Sequence, residues 1–266
     1  MILNTVLQGD CLNLFDKIDD KSIDLVFTSP PYYNAREYSQ YKTYDEYLEF
    51  IKDVCIKIFE KLSDDGYFVL NTSPVIVPRE KRSMESKRLP IPFDTFSICQ
   101  NVGFSYVDDI IWVKPDGASN RGRRFSAHRR PMAYKPFSVT EYLFVMRKQN
   151  APLIDFGIRK HSEEIIEKSL VLGEYERTNI WEIAPVRNNG HSAPFPLQLA
   201  ENVIKYYSYI DDIVLDPFAG SGTTLVASKM LDRKYIGFEL HKEYVDLCNQ
   251  RLTGETQCNP ILYTDL

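Results

Sequence analysis

The chain is poor in the features that mark a secreted, metal-binding or membrane protein. Its five cysteines, Cys11, Cys55, Cys99, Cys248 and Cys258, are odd in number and scattered. They form no Cys-x-x-Cys pair, and no pattern with the four histidines has metal-ligand spacing. Neither a disulfide framework nor a metal site is expected, and the cysteines read as reduced thiols of a cytoplasmic protein. The stretch Met1-Ile2-Leu3-Asn4-Thr5 places no basic segment before an apolar core, so no signal peptide is expected. No apolar run approaches the ~20 residues that a membrane-spanning helix needs. Internal repeats are absent. So is an excess of positive charge: the net charge of −5 argues against uniform coating of nucleic acid, while leaving room for a local basic face. No Gly-Lys-Ser/Thr follows any glycine turn, so nothing is placed to grip a triphosphate.

What is present is an ordinary core and a regular alternation. The 266 residues, 44% of them hydrophobic, suffice for one large α/β domain or two small ones. Strands are expected at 2–8, 23–28, 67–71, 106–113, 140–147, 213–215 and 234–238. Helices are expected near 12–18, 44–61, 93–101, 161–172, 195–209, 224–231 and 241–252. Asp64-Asp65-Gly66 reads as a helix stop, and 150–190 as irregular apart from its one helix. Such alternation predicts a mainly parallel sheet covered by helices on both faces.

Two stretches carry chemistry. Thr28-Ser29-Pro30-Pro31-Tyr32 follows the apolar run Ile23–Phe27, where a buried strand ends. Taken alone, Pro-Pro marks a turn. The full string offers more: two prolines fix the backbone and free nearby carbonyls to accept hydrogen bonds. Ser29 adds an oxygen and Tyr32 a flat ring. The set suits the amino group of a planar base. The second stretch is Asp216-Pro217-Phe218-Ala219-Gly220-Ser221-Gly222-Thr223, between a strand and a helix start. Glycines there let the backbone approach a ligand, and the helix offers free N–H groups. Glu239 ends the next strand, near the ~20-residue spacing at which an acid binds a ribose in this architecture.

Together these stretches resemble the β group of the DNA amino-methyltransferases, in which the catalytic motif precedes the cofactor motif. The resemblance implies a Rossmann-like, S-adenosyl-L-methionine-dependent methyltransferase fold, circularly permuted, with an inserted target-recognition region. It divides the chain into a catalytic half at 1–115, the insert at 116–190 with one core strand near 140–147, a cofactor half at 191–253, and a tail at 254–266. It implies catalytic roles for Ser29, Pro30, Pro31 and Tyr32. Cofactor contacts would come from Asp10 and Cys11 at the adenine, Glu239 at the ribose, and Asp216, Gly220, Ser221, Gly222 and Thr223 at the amino-acid end. Pro194 and Phe195 would line the methionine end, and Phe218 would lie near the methyl region. The partner would be double-stranded DNA. A cognate restriction endonuclease would be a functional rather than a physical partner, and the chain a monomer or homodimer.

The implied reaction moves a methyl group from S-adenosyl-L-methionine to the exocyclic amine of a flipped base. Ser29 before the prolines resembles the N4-cytosine branch, and N6 of adenine is the alternative. The absence of a Pro-Cys dipeptide agrees with attack by an amine rather than by a ring carbon. Tyr32 is expected to stack on the base, its ring mattering more than its hydroxyl. Basic stretches, Arg79, Lys81 and Arg82, then Arg121, Arg123, Arg124, Arg129 and Arg130, read as solvated loops alone and as phosphate or base-edge contacts beside a DNA-modifying core. Methylation of RNA or of a protein amide, and a non-catalytic regulatory module that binds cofactor and DNA, are the competing readings.

Overall fold

The computed structural model describes residues 1–33, 41–77, 81, 83, 86–115, 132, 136, 138–186 and 195–254. In chain order the strands are β1 (Thr5–Gln8), β2 (Ile23–Thr28), β3 (Leu62–Thr72), β4 (Val75–Val77), β5 (Lys87–Leu89), β6 (Phe104–Val113), β7 (Thr140–Lys148), β8 (Ile180–Glu182), β9 (Ile213–Asp216) and β10 (Lys234–Glu239). The helices are α1 (Cys11–Leu14), α2 (Tyr44–Lys61), α3 (Ile91–Val102), α4 (Ile154–Ile158), α5 (Glu163–Lys168), α6 (Leu197–Tyr207), α7 (Thr223–Met230) and α8 (Lys242–Thr253).

Among the described residues, one sheet of eight strands runs β1-β10-β9-β2-β3-β7-β6-β8, and β4 pairs with β5 in a small sheet of its own. The pairings from β1 to β3 are parallel, β7 is antiparallel to both its neighbours, and β8 is parallel to β6. The strands are apolar on both faces because both are covered. Val26, Phe68, Leu70 and Phe144 pack toward Tyr47, Ile51 and Ile58 of α2 and Cys99 of α3. Their neighbours Leu25, Phe27, Val69 and Val145 face Leu199, Val203 and Ile204 of α6. That alternation is the two-residue period of a pleated strand.

Several expected boundaries shift. Asp64-Asp65-Gly66 does not separate α2 from a strand; it lies inside β3, at an irregularity in the pairing with β2. The two aspartates tolerate the strand because they point to lysines: Asp64 to Lys21, and Asp65 to Lys160. The helix expected near 161–172 is shorter, with a separate α4 before it, and β8 emerges from the stretch expected to be irregular.

Candidate active site

Parallel strands bring their C-terminal ends to one edge of a sheet, where a crevice forms outside the carboxyl ends. Here Gln8 of β1 lies beside Glu239 of β10, and Gly237 beside Asp216 of β9. Since β9 also pairs with β2, the chain leaving Thr28 and the chain leaving Asp216 start side by side. Thr28 Oγ1 donates to Asp216 Oδ1 at 2.7 Å, a bond between residues 188 positions apart. The two informative stretches therefore meet at one place.

Asp216 holds that junction from within. It is 2% exposed. Thr224 Oγ1 donates to its Oδ2 at 2.7 Å, and Phe218 N to its Oδ1 at 3.0 Å. Burial pushes its carboxyl up to about 6, against the pull of these three donors. The turn that follows needs glycine. Gly220 and Gly222 have φ of 52° and 79°, and a Cβ on Gly222 would lie 2.2 Å from Cys248 Sγ. Arg251 of α8 braces the same turn, donating to Ser221 O at 2.6 Å, Ser221 Oγ at 2.9 Å and Thr223 Oγ1 at 3.3 Å.

Glu239 ties the turn to its own strand. Its Oε2 accepts from Gly220 N at 3.0 Å and its Oε1 from His241 N at 2.8 Å. A carboxylate has about four acceptor positions, so room remains for ligand hydroxyls. Asp10 caps α1 by accepting from Leu12 N at 2.9 Å, and burial pushes the Cys11 thiol up to about 12. An aromatic wall adjoins them: Tyr33, Tyr41, Tyr44 and Tyr47 pack together, and Phe50 extends the wall to Phe218. Phe195 lies against Phe27 of β2, with ring centroids 5.0 Å apart.

On the catalytic side, Pro30 is buried, and Ser29, Pro31 and Tyr32 are half-buried. Ser29 Oγ lies 3.3 Å from the Tyr32 hydroxyl. Tyr32 donates onward to Glu141 Oε2 at 3.1 Å. Asn71 Nδ2 donates to Ser29 Oγ at 3.3 Å and to Glu141 Oε2 at 2.9 Å. Lys114 pairs with the other oxygen of Glu141 and stands 4.5 Å over the Trp112 ring. Burial, then the charge of Glu141, holds Tyr32 well above the usual tyrosine range. The Tyr32 hydroxyl is thus engaged within the site, which the expectation of a stacking ring alone did not include.

The DNA methylase family model matches residues 23–250. The chain belongs to the DNA methylase family. It is 32% identical to the type II beta methyltransferase M.BslI of Bacillus sp. (strain NEB-606) over 97% of its own length, though it spans only 28% of that larger relative. It is 28% identical to the type II methyltransferase M.ScaI of Streptomyces caespitosus, covering 94% of this chain and 81% of that one. TTHA0409 of Thermus thermophilus, solved in complex with S-adenosyl-L-methionine, superposes with a TM-score of 0.76. The two are 28% identical and cover 96% and 95% of each other's chains. The fold of this family member is thus the Rossmann-like fold of the S-adenosyl-L-methionine-dependent DNA methyltransferases.

In this methylase-family fold, the residues expected at the site divide into two sets. Asp10, Cys11, Ser29 to Tyr32, Phe195, Asp216, Phe218, Gly220 to Thr223 and Glu239 lie at or beside the C-terminal edge of the sheet. Pro194, Arg79, Arg82, Arg121, Arg123, Arg124, Arg129 and Arg130 lie outside the described residues, and Lys81 is exposed. Sequence reasoning missed Asn71, Lys114, Glu141 and Arg251. A signal existed for one of them: Glu141 is the lone acid in the run Thr140–Met146. Among the described residues no group of His, Cys, Asp and Glu could hold a metal ion, and no helix is long and apolar enough to cross a membrane.

Proposed function

We propose that this chain methylates an exocyclic amine of a base flipped out of double-stranded DNA, using S-adenosyl-L-methionine, with N4 of cytosine as the target. The observation that carries the reading is the Thr28–Asp216 hydrogen bond, which joins the amine-binding and cofactor-binding stretches. When bound, the cofactor supplies an electrophilic methyl group on a sulfonium centre. Asp10 and the acceptor capacity left on Glu239 suit an adenosine, at its adenine amine and its ribose hydroxyls. The backbone of 218–222 and the start of α7 would hold the amino-acid end, with Asp216 fixing that backbone from behind. Phe218 and the neighbouring aromatic wall suit a cation.

The chain's own residues then act on the base. An exocyclic amine is a weak nucleophile because its lone pair is delocalised into the ring. Ser29 Oγ and the Pro30 carbonyl accept from its two hydrogens, draw the nitrogen toward tetrahedral geometry and localise that pair. Placement and fixed dipoles supply the acceleration, with no covalent bond to the protein. Extruding the base costs a few kcal/mol, which stacking on Tyr32 partly returns. The basic residues of 79–88 and 121–135 would contact phosphates and base edges. Ser29, which resembles the N4-cytosine branch, supports cytosine. Nucleoside digests of unmodified DNA incubated with protein and cofactor test this by mass spectrometry. The expected product is N4-methylcytosine. N6-methyladenine would replace the target base, and methyl groups found on RNA or protein alone would overturn the reading.

A further inference from the structure

A serine hydroxyl can donate or accept, and only the accepting sense serves an incoming amine. Resting on the amine-methylation reading above, we infer that Glu141, held by Lys114, is the positioning residue that fixes Ser29 in the accepting sense.

The direction follows from counting protons. The Glu141 carboxylate only accepts, and Lys114 pairs with its other oxygen. Tyr32 has one hydroxyl proton, and it is directed to Glu141 Oε2. The 3.3 Å contact between Tyr32 and Ser29 therefore runs from the Ser29 hydroxyl to the Tyr32 oxygen. Asn71 is oriented by the same carboxylate. Its Nδ2 reaches both Glu141 and Ser29, while its buried Oδ1 has no partner among the described residues. Turning that amide over would set an oxygen against the Glu141 carboxylate. Ser29 thus gives its proton to Tyr32 and receives one from Asn71, leaving one lone pair open. That lone pair accepts from an amino group and has nothing to offer a carbonyl. At the same ring position cytosine carries an amine where thymine carries a carbonyl, and adenine and guanine differ in the same way. The cluster filters bases by hydrogen-bond polarity, before any size limit of the pocket.

The test compares wild type, Glu141→Gln and Tyr32→Phe in labelled-methyl transfer to unmodified genomic DNA, with cofactor affinity by calorimetry and the melting temperature alongside. Glu141→Gln keeps the shape but can donate to Tyr32, so the proton direction at Ser29 is no longer imposed. Its kcat is expected to fall about 100-fold, the scale of losing one aligned polar contact in an active site, with cofactor Kd and DNA KM within about threefold of wild type. Tyr32→Phe removes the acceptor for the Ser29 proton and should fall in kcat in the same way. It decides the matter if Glu141→Gln does not fold. A kcat within about threefold of wild type in a folded variant overturns the inference, as does a loss of kcat matched by an equal loss of cofactor affinity. A wild type that methylates no DNA overturns the amine-methylation reading and the inference with it, whereas active wild type with active variants overturns the inference alone.

Discussion

Two aspartates bracket β9 and meet opposite surroundings. Asp216 at its C-terminal end is satisfied by uncharged donors, two threonine hydroxyls and a backbone N–H. Asp212, just before the strand, accepts one backbone bond from Tyr209 N and otherwise sits among charges. His161 Nε2 is 3.6 Å away, Asp24 and Asp65 push its carboxyl up, and Arg233 pulls it down. Burial raises both groups, Asp216 to about 6 and Asp212 to about 7. The pole that carries the site is organised by directional neutral bonds, which keep their geometry without a titrating partner. The far pole is held by ion pairs such as Lys160–Asp65, which set position loosely and change with pH and salt.

Asp216→Ala tests the first half of that contrast and should have the largest effect. It leaves the Thr28 and Thr224 hydroxyls and the Phe218 N–H without their acceptor in a buried place. At about 1–3 kcal/mol per orphaned group, partly relieved by relaxation, the loss should be about 3–5 kcal/mol in denaturant unfolding. Methyl transfer should disappear. A variant of near wild-type stability would show that the clasp holds nothing.

Arg251→Met should act more mildly at the same pole. Methionine keeps much of the stem and loses the bonds to Ser221 and Thr223, so the glycine turn loosens without a core void. Cofactor Kd is expected to rise about tenfold, the equivalent of about 1.4 kcal/mol, with a melting temperature lowered by a few degrees. Unchanged affinity would mean that the strand ends alone shape the turn.

The contrast between poles also explains what was legible in the sequence. Ser29 to Tyr32 and Asp216 to Thr223 could be read because each concentrates its chemistry in a few consecutive residues at a strand end. The Asn71–Lys114–Glu141 cluster could not, since β3, the end of β6 and β7 each contribute one residue, and only strand order brings them together. The parallel β1–β3 part of the sheet followed from apolar runs between helices. β8 escaped because three residues, of which only Trp181 is buried, carry too little pattern. β3 was entered too late because Asp64-Asp65-Gly66 resembles a stop signal, and the lysines that pair with the two aspartates come from distant segments.

The smallest effect sharpens the comparison most, because one substitution should have opposite signs at the two ends of β9. In the folded chain Asp212 keeps its proton up to about pH 7, whereas an unfolded aspartate releases it near 3.9. Between those values the native state binds more protons, so stability falls as pH rises, and it levels off above pH 7. Asp24, also raised by burial, adds to that slope, while Lys160, Arg233 and a protonated His161 oppose it. Asp212→Asn cannot ionise, and its oxygen can still accept from Tyr209 N. The variant should flatten the slope of melting temperature between about pH 4 and 7 and gain up to about 1 kcal/mol at pH 7.5. Asp216→Asn also removes the cost of ionising a carboxyl raised to about 6, but its amide nitrogen cannot accept the bond that Thr224 now gives, and the net is expected to be a loss of about 1 kcal/mol there. Thermal unfolding of both variants across pH 4–8 decides it: shifts of the same sign would mean that the two poles are held by the same kind of force.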